Sequence, residues 1–148
     1  MVEKIDVRNA SEENKQMIKK ISKDKAKLFL LPLLCMVLMT LELALYVVLE
    51  ADMFYLIICT FILSSIIQIY VIYKLNVAQI LLSHVLTAIS NNMTIKEWAH
   101  MDKEQAIKKE VKVVKVSWRS FIPEYIMIFI SCFVCVGAPF IAVIDKFM

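Results

Sequence analysis

Glu42 is the residue with the most chemistry to offer. It is the one charge in the apolar run Leu28–Leu49, LFLLPLLCMVLMTLELALYVVL, and stands about two-thirds of the way along it. If that run crosses a bilayer, an ionised carboxylate at this depth costs at least ~2.5–3.5 kcal/mol on insertion scales. A second apolar run, Met53–Tyr73, follows after Glu50, Ala51 and Asp52. In a hairpin centred near Ala51, residues equally far from the turn share a depth, which sets Glu42 beside Thr60, Phe61 and Ser64. Thr60, Ser64 and Gln68 recur every four residues, so on a helix they form one polar ridge. Glu42 is therefore expected to bond Thr60 or Ser64. No Lys, Arg or His of the chain reaches that depth, so the carboxyl group is protonated, in contact with water, or paired with a cation from another protein. An ion or proton site, a partner contact and a neutral hydrogen bond between helices all remain open.

Other residue types with reactive side chains lead less far. Cys132 and Cys135 form a C-x-x-C, but within an apolar run, without the helix N-terminus or charged neighbours that lower a thiol pKa. All four cysteines, Cys35, Cys59, Cys132 and Cys135, lie in apolar runs and read as small apolar fillers. His84 and His100 have no acid or Cys cluster at ligand spacing, so no metal site is expected. No P-loop, G-x-S-x-G, H-E-x-x-H or dinucleotide fingerprint occurs, and a chain with one glycine cannot build a glycine-rich phosphate loop. No cofactor and no enzymatic activity are expected.

The elements that must carry these residues follow from hydropathy. Sixty per cent of the 148 residues are hydrophobic, concentrated in three runs. The third, Phe121–Ile144, holds a single charge, Glu124, in its first turn. Each run matches the roughly 20 helical residues that cross a hydrocarbon core, and backbone in lipid must satisfy itself internally. The sequence predicts an all-α integral membrane protein with transmembrane helices over 28–49, 53–73 and 121–144. The first run is too long for a signal-peptide core and ends in acidic residues.

Charge sets the predicted orientation. Residues 1–27 hold Lys4, Arg8, Lys15, Lys19, Lys20, Lys23, Lys25 and Lys27, and residues 74–120 hold eight more Lys and Arg. The connection 50–52 has none, and the tail 145–148 has only Lys146. Basic residues stay on the cytoplasmic side. The N-terminal segment 1–27 and the segment 74–120 are thus expected in the cytoplasm, with 50–52 and 145–148 outside. The membrane would be a plasma membrane of the bacterial inner type.

Within 74–120 the sequence predicts a helical hairpin. Asn76, Gln79, Ser83, Thr87 and Ser90 recur at three or four, so residues 76–90 form an amphipathic helix, either continuing the second span or turned onto the membrane surface. Asn91-Asn92 makes a turn, and Thr94-Ile95-Lys96-Glu97 reads as a capping box with Met93 and Trp98 at staple positions. A helix from about Ile95 to Val116 would follow. The β-branched run Val111–Val116 argues for extended chain, but Lys108, Lys112, Lys115 and Arg119 line up at helical spacing beside Ile107, Val111, Val114 and Trp118. That pair of stripes describes a basic helix against an anionic leaflet or a partner. Residues 11–27 form a further helix capped by Ser11, running into the first span, with Pro32 kinking or opening the join; residues 1–10 read as disordered.

In the third run, Gly137-Ala138-Pro139 with Ala142 marks a hinge or a close-packing face, since Pro139 removes a helix bond and Ala138 and Ala142 are a small-xxx-small pair. The basic residues are 15 Lys against Arg8 and Arg119. Nucleic-acid readout favours Arg, so none is expected as a partner. The expected partners are the bilayer, anionic lipids at the cytoplasmic face and another membrane protein, with a homo-oligomer left open. Chains of this size and topology serve in immunity, exclusion or as accessory subunits. The competing reading is an oligomeric pore, holin or transport subunit using Glu42, and a membrane redox enzyme stands third.

Overall fold

A computed structural model describes Arg8, residues 10–50 and residues 52–148. Ala51 and nearly all of the segment 1–10 lie outside these residues. The described chain is all-helical without β-strands: α1 (Glu12–Val48), α2 (Phe54–Ser90), α3 (Ile95–Ala99), α4 (Lys103–Lys108), a 3-10 turn (Trp118–Phe121) and α5 (Ile122–Phe147). Three stretches, Glu12–Val48, Phe54–Ser90 and Trp118–Phe147, are long and apolar enough to cross a membrane, which marks the chain as a membrane protein.

Local chemistry explains the helix ends. The Ser11 hydroxyl accepts the Asn14 N–H at 3.3 Å, a cap at the start of α1. Pro123 stands in the first turn of α5, where a missing N–H costs nothing, and Glu124 there suits the positive helix end. α1 and α2 each run 37 residues. Each continues well past the length of its apolar run, so Pro32 does not end α1 and Asn76 does not turn α2.

The chain divides into two compact units, Ala26–Leu75 with Phe121–Met148 and Met1–Lys25 with Asn76–Ser120. In the first, each helix buries one stripe: Pro32, Cys35, Met39 and Glu42 on α1, Ile57, Thr60, Ser64, Gln68 and Val71 on α2, and Glu124, Ile128, Ser131, Cys135, Ala138 and Ala142 on α5. Small and polar side chains make up much of the inward stripes while most of the Leu, Ile and Phe face outward; Ser131 is 0% exposed and Phe133 77%. A water-soluble core has the opposite order. Close approach through small residues is the packing expected where lipid removes the hydrophobic drive between helices. Tyr46 and Asp145, at 2.9 Å, and Lys146 over the Phe54 ring, at 4.5 Å, tie the ends of these helices.

The second unit has a small apolar core of Ile21, Val85 and Ile89, flanked by Met17, Ile18, Leu81 and Ile95. Its hub is Asn14, 1% exposed, whose amide donates to the Met93 carbonyl and accepts the Ile95 N–H, both at 3.0 Å. The turn after α2 closes with Asn92 in the left-handed region at φ 54°, as Met93 N–H bonds the Ala88 carbonyl and Asn92 N–H that of Ile89.

The single helix expected over 95–116 does not form. The capping box is present, with Thr94 and Glu97 each satisfying the other's N–H, but α3 ends at Ala99. α4 ends at Lys108, Glu110 follows at φ 51°, and residues 111–117 are not helical but have their main chain bonded at alternate residues, as extended chain does. The β-branched run outweighs the helical spacing of its lysines because its main chain has better partners elsewhere, described below.

Candidate functional site

The polar ridge of α2 meets its partners between helices. Thr60 Oγ1 donates to Glu42 Oε1 at 2.8 Å. Glu42 is 5% exposed, and its Oε2 is buried with no hydrogen-bond partner among the described residues. Met39 and Ile57, both fully buried, lie in the apolar cluster around this level. Ser64 is buried but makes no hydrogen bond to Glu42, and the Cys135 thiol lies 3.9 Å from Ser131 Oγ. Gln68 Nε2 donates to Ser131 Oγ at 2.9 Å, Ser131 Oγ donates to the Pro32 carbonyl at 2.9 Å, and Cys132 donates to Gln68 Oε1. Pro32 has no N–H to give to its helix, and its carbonyl accepts the Ser131 hydroxyl of α5.

The ridge was legible from its four-residue spacing, and its partners on α5 were not. Ser131 is one hydroxyl in an apolar run, and Cys132 and Cys135 read as fillers although their thiols meet Gln68 Oε1 and Ser131 Oγ. What this ladder can do chemically is restrained. The hydroxyls of Thr60 and Ser131 and the amide of Gln68 have partners inside the chain, and one carboxyl oxygen is left over.

The Gly137-Ala138-Pro139 segment does not break α5, which runs unbroken to Phe147. Ala138 and Ala142 pack in the core beside Cys35, Met39 and Ile57. Gly137 does not: a Cβ there would meet nothing within 4 Å. It lies in an outward, apolar notch lined by Phe129, Cys132, Phe133, Val136 and Phe140.

The basic set Lys108, Lys112, Lys115 and Arg119 is not one helix face, because Lys108 ends α4, Lys112 and Lys115 are in extended chain, and Arg119 is in the 3-10 turn. All four are exposed. The extended segment is held by a second polar ridge, Gln79, Ser83 and Thr87 on α2 continued by Asn91 in the turn that follows it. The Asn91 amide accepts the Lys112 N–H at 3.1 Å and donates to its carbonyl at 2.9 Å. Thr87 Oγ1 accepts the Val114 N–H at 2.9 Å. Ser83 Oγ accepts the Val116 N–H at 3.0 Å, and Gln79 Nε2 donates to its carbonyl at 2.8 Å. The match is geometric: four helical residues rise about 6.0 Å, and two extended residues span about 6.6 Å. Side chains at every fourth position of a helix can therefore bond the main chain at every second position of a strap lying along it.

Trp98 Nε1 donates to His84 Nδ1 at 2.8 Å, which leaves Nε2 as the donor nitrogen of that ring. Among the described residues no group of three or more His, Cys, Asp or Glu could hold a metal ion. Compared with family models, curated proteins and solved structures, the chain matches none.

Proposed function

We propose that the chain is a small, non-enzymatic membrane protein that binds, regulates or helps to assemble a partner membrane protein. Its N-terminus and residues 74–120 lie in the cytoplasm, and residues 50–52 and 145–148 lie outside. The asymmetry of Lys and Arg supports this orientation, and a bacterial inner membrane is the setting in which it places anionic headgroups beside the basic segments.

The observation that carries the reading is the direction of the polar ladder. Thr60, Ser64 and Gln68 are buried, and Thr60 and Gln68 are bonded to Glu42 and Ser131 of the same chain. A pore between copies needs polar groups on the outward surface of the spans, and these are turned inward. What the spans offer to neighbours is apolar surface with a notch at Gly137. What the other unit offers is exposed basic residues. Both are surfaces for binding.

The test is purification from native membranes after mild crosslinking. A stoichiometric, different membrane protein supports the reading; a homo-oligomer that conducts ions in planar bilayers overturns it. Orientation is checked separately by labelling Asp52→Cys, Met148→Cys and Glu104→Cys in turn with an impermeant thiol reagent. The first two are expected to label from outside and the third only after the membrane is opened. Labelling of Asp52→Cys and Glu104→Cys from the same side removes α2 as a span.

A further inference from the structure

We propose that the free edge of the strap at residues 111–117 binds an extended, acidic segment of a partner protein by strand addition. This deepens the partner-binding reading by naming the surface and the chemistry of its occupant.

Along an extended chain, successive amide groups face opposite sides. Lys112, Val114 and Val116 turn theirs toward α2, where Asn91, Thr87, Ser83 and Gln79 bond them. The N–H and C=O groups of Val113 and Lys115 therefore face away from the helix. Among the described residues neither makes a main-chain hydrogen bond within the protein. The strap thus presents donors and acceptors in strand order, held extended in advance by a helix. Pre-ordering removes most of the entropic cost that an isolated peptide would meet on pairing. Val113 adds an apolar contact point, being 62% exposed.

Charge selects the occupant. Residues 108–119 hold Lys108, Lys109, Lys112, Lys115 and Arg119 against Glu110 alone. A second copy of the strap would bring lysines onto this edge from both sides, which is how natural edge strands avoid pairing with themselves. An acidic strand is attracted by the same residues. A lipid surface fits less well. Lys112 and Lys115, three apart in extended chain, project to opposite sides, so one flat headgroup layer cannot meet both. Headgroup phosphates also accept hydrogen bonds from N–H groups but supply none to the outward carbonyls.

The experiment uses the full-length protein in nanodiscs of zwitterionic lipid, with a seven-residue peptide of alternating Glu and Val as the probe. Residue-resolved amide exchange is expected to show new protection at Val113 and Lys115 on adding peptide, with Lys112, Val114 and Val116 unchanged. Val113→Pro deletes an outward N–H but no inward one, and is expected to weaken the peptide about tenfold with every charge in place. Lys112→Glu with Lys115→Glu is expected to lose it. Absence of binding, binding without protection at Val113 and Lys115, or equal affinity for Val113→Pro overturns the proposal. So does the same protection from anionic nanodiscs without peptide, which assigns the edge to lipid. If Val113→Pro undocks the strap, seen as faster exchange at Val114 and Val116, the exchange pattern of the unmodified protein decides alone. A copurifying partner that binds elsewhere would leave the partner reading standing while ending this one.

Discussion

Helix α2 carries polar residues at the same spacing in both of its halves, and the two halves bind different things. Thr60 and Gln68 bond side chains, a carboxyl and a hydroxyl, with Ser64 buried between them on the same ridge. Gln79, Ser83, Thr87 and Asn91 bond main chain. The difference follows from what each surrounding leaves available. In lipid nearly every backbone group is satisfied inside its own helix, so side chains are the main groups left to bond, apart from a carbonyl such as that of Pro32, which accepts the Ser131 hydroxyl. Where water reaches, a segment can stay extended, and its backbone becomes the ligand of a helix. A polar ridge on a helix therefore does not say what it binds until its neighbours are known.

The largest effect is expected where a side chain serves backbone with no substitute. Asn14 holds the Met93 carbonyl and the Ile95 N–H with one amide. Asn14→Ala leaves both groups without a partner in a part-buried place, at about 1–3 kcal/mol each. Because water recovers part of that loss, a total near 2–4 kcal/mol is expected, and it should concentrate in residues 10–25 and 76–100. Amide exchange across that unit measures it. A loss below about 1 kcal/mol would mean that the loop after α2 is ordered by its own turn and capping box rather than by Asn14.

The sharpest comparison is a matched pair. Thr87→Val and Thr60→Val delete one hydroxyl each from the same helix, at nearly constant shape. Thr87→Val orphans the Val114 N–H, which is fixed by the strap and cannot turn away, and about 1–3 kcal/mol is expected. Thr60→Val removes the bond to Glu42, and hydrogen bonds between spans average ~0.6 kcal/mol with a maximum near 1.7. The order of the two, measured by exchange at Val114 and by unfolding in mixed micelles, is the prediction. If Thr60→Val costs more, the Glu42 contact is more than packing polarity.

Much of the first half of this comparison was legible in the sequence, and little of the second. The three apolar runs, the capping box and the pairing of Glu42 with Thr60 or Ser64, of which the structure has Thr60, follow from composition, one local motif and the symmetry of a hairpin about Ala51. Ser131 escaped notice because one hydroxyl in an apolar run has no periodicity to mark it. The strap escaped because two signals overlapped. Val111–Val116 has the residue types of extended chain, while Lys108, Lys112, Lys115 and Arg119 have the spacing of a helix face. The deciding term is the ridge Gln79–Ser83–Thr87–Asn91, which stands 20 or more residues earlier and reads by itself as an ordinary solvated face. The spacing marks Gly137 and Ala138 together as a hinge or packing segment, but neighbouring residues on a helix face different ways, and of these two Ala138 alone lies in the core.

Glu42 separates a structural carboxyl from a working one. It accepts one hydrogen bond and forms no ion pair among the described residues. Gln keeps its shape and can accept the same bond from Thr60. Glu42→Gln is expected to leave unfolding within about 0.5 kcal/mol of the parent, and Glu42→Leu to cost about 0.6–1.7 kcal/mol. Copurification of a partner should survive Glu42→Gln if the role is structural. Loss of the partner with Glu42→Gln, in a protein that unfolds normally, would make the carboxyl group itself part of the function and reopen the ion or proton reading.

The smallest effect tests why the strap begins where it does. The chain has one glycine, and its helix stops use other residues in the left-handed region: Glu50 at φ 51°, Asn92 at 54° and Glu110 at 51°. Asn tolerates this conformation through its short polar side chain, whereas for Glu it costs about 1–2 kcal/mol. At Glu110 the cost is offset by the turn it allows, in which Val111 N–H bonds the Ala106 carbonyl at 3.1 Å and Glu110 N–H that of Ile107 at 3.2 Å, releasing the chain into its extended course. Glu110→Gly removes the strain but adds freedom to the unfolded chain, a loss of about 0.5–1 kcal/mol. A net gain of up to roughly 1 kcal/mol is expected, seen as slower exchange of the Val111 amide. The same change also raises the positive charge around the strap by deleting its one acid, so the acidic probe peptide should bind at least as well. Glu110→Ala controls for charge, since it keeps the strain. Should Glu110→Ala and Glu110→Gly behave alike, the left-handed geometry is not what sets the start of the strap, and the β-branched run alone dictates where α4 ends.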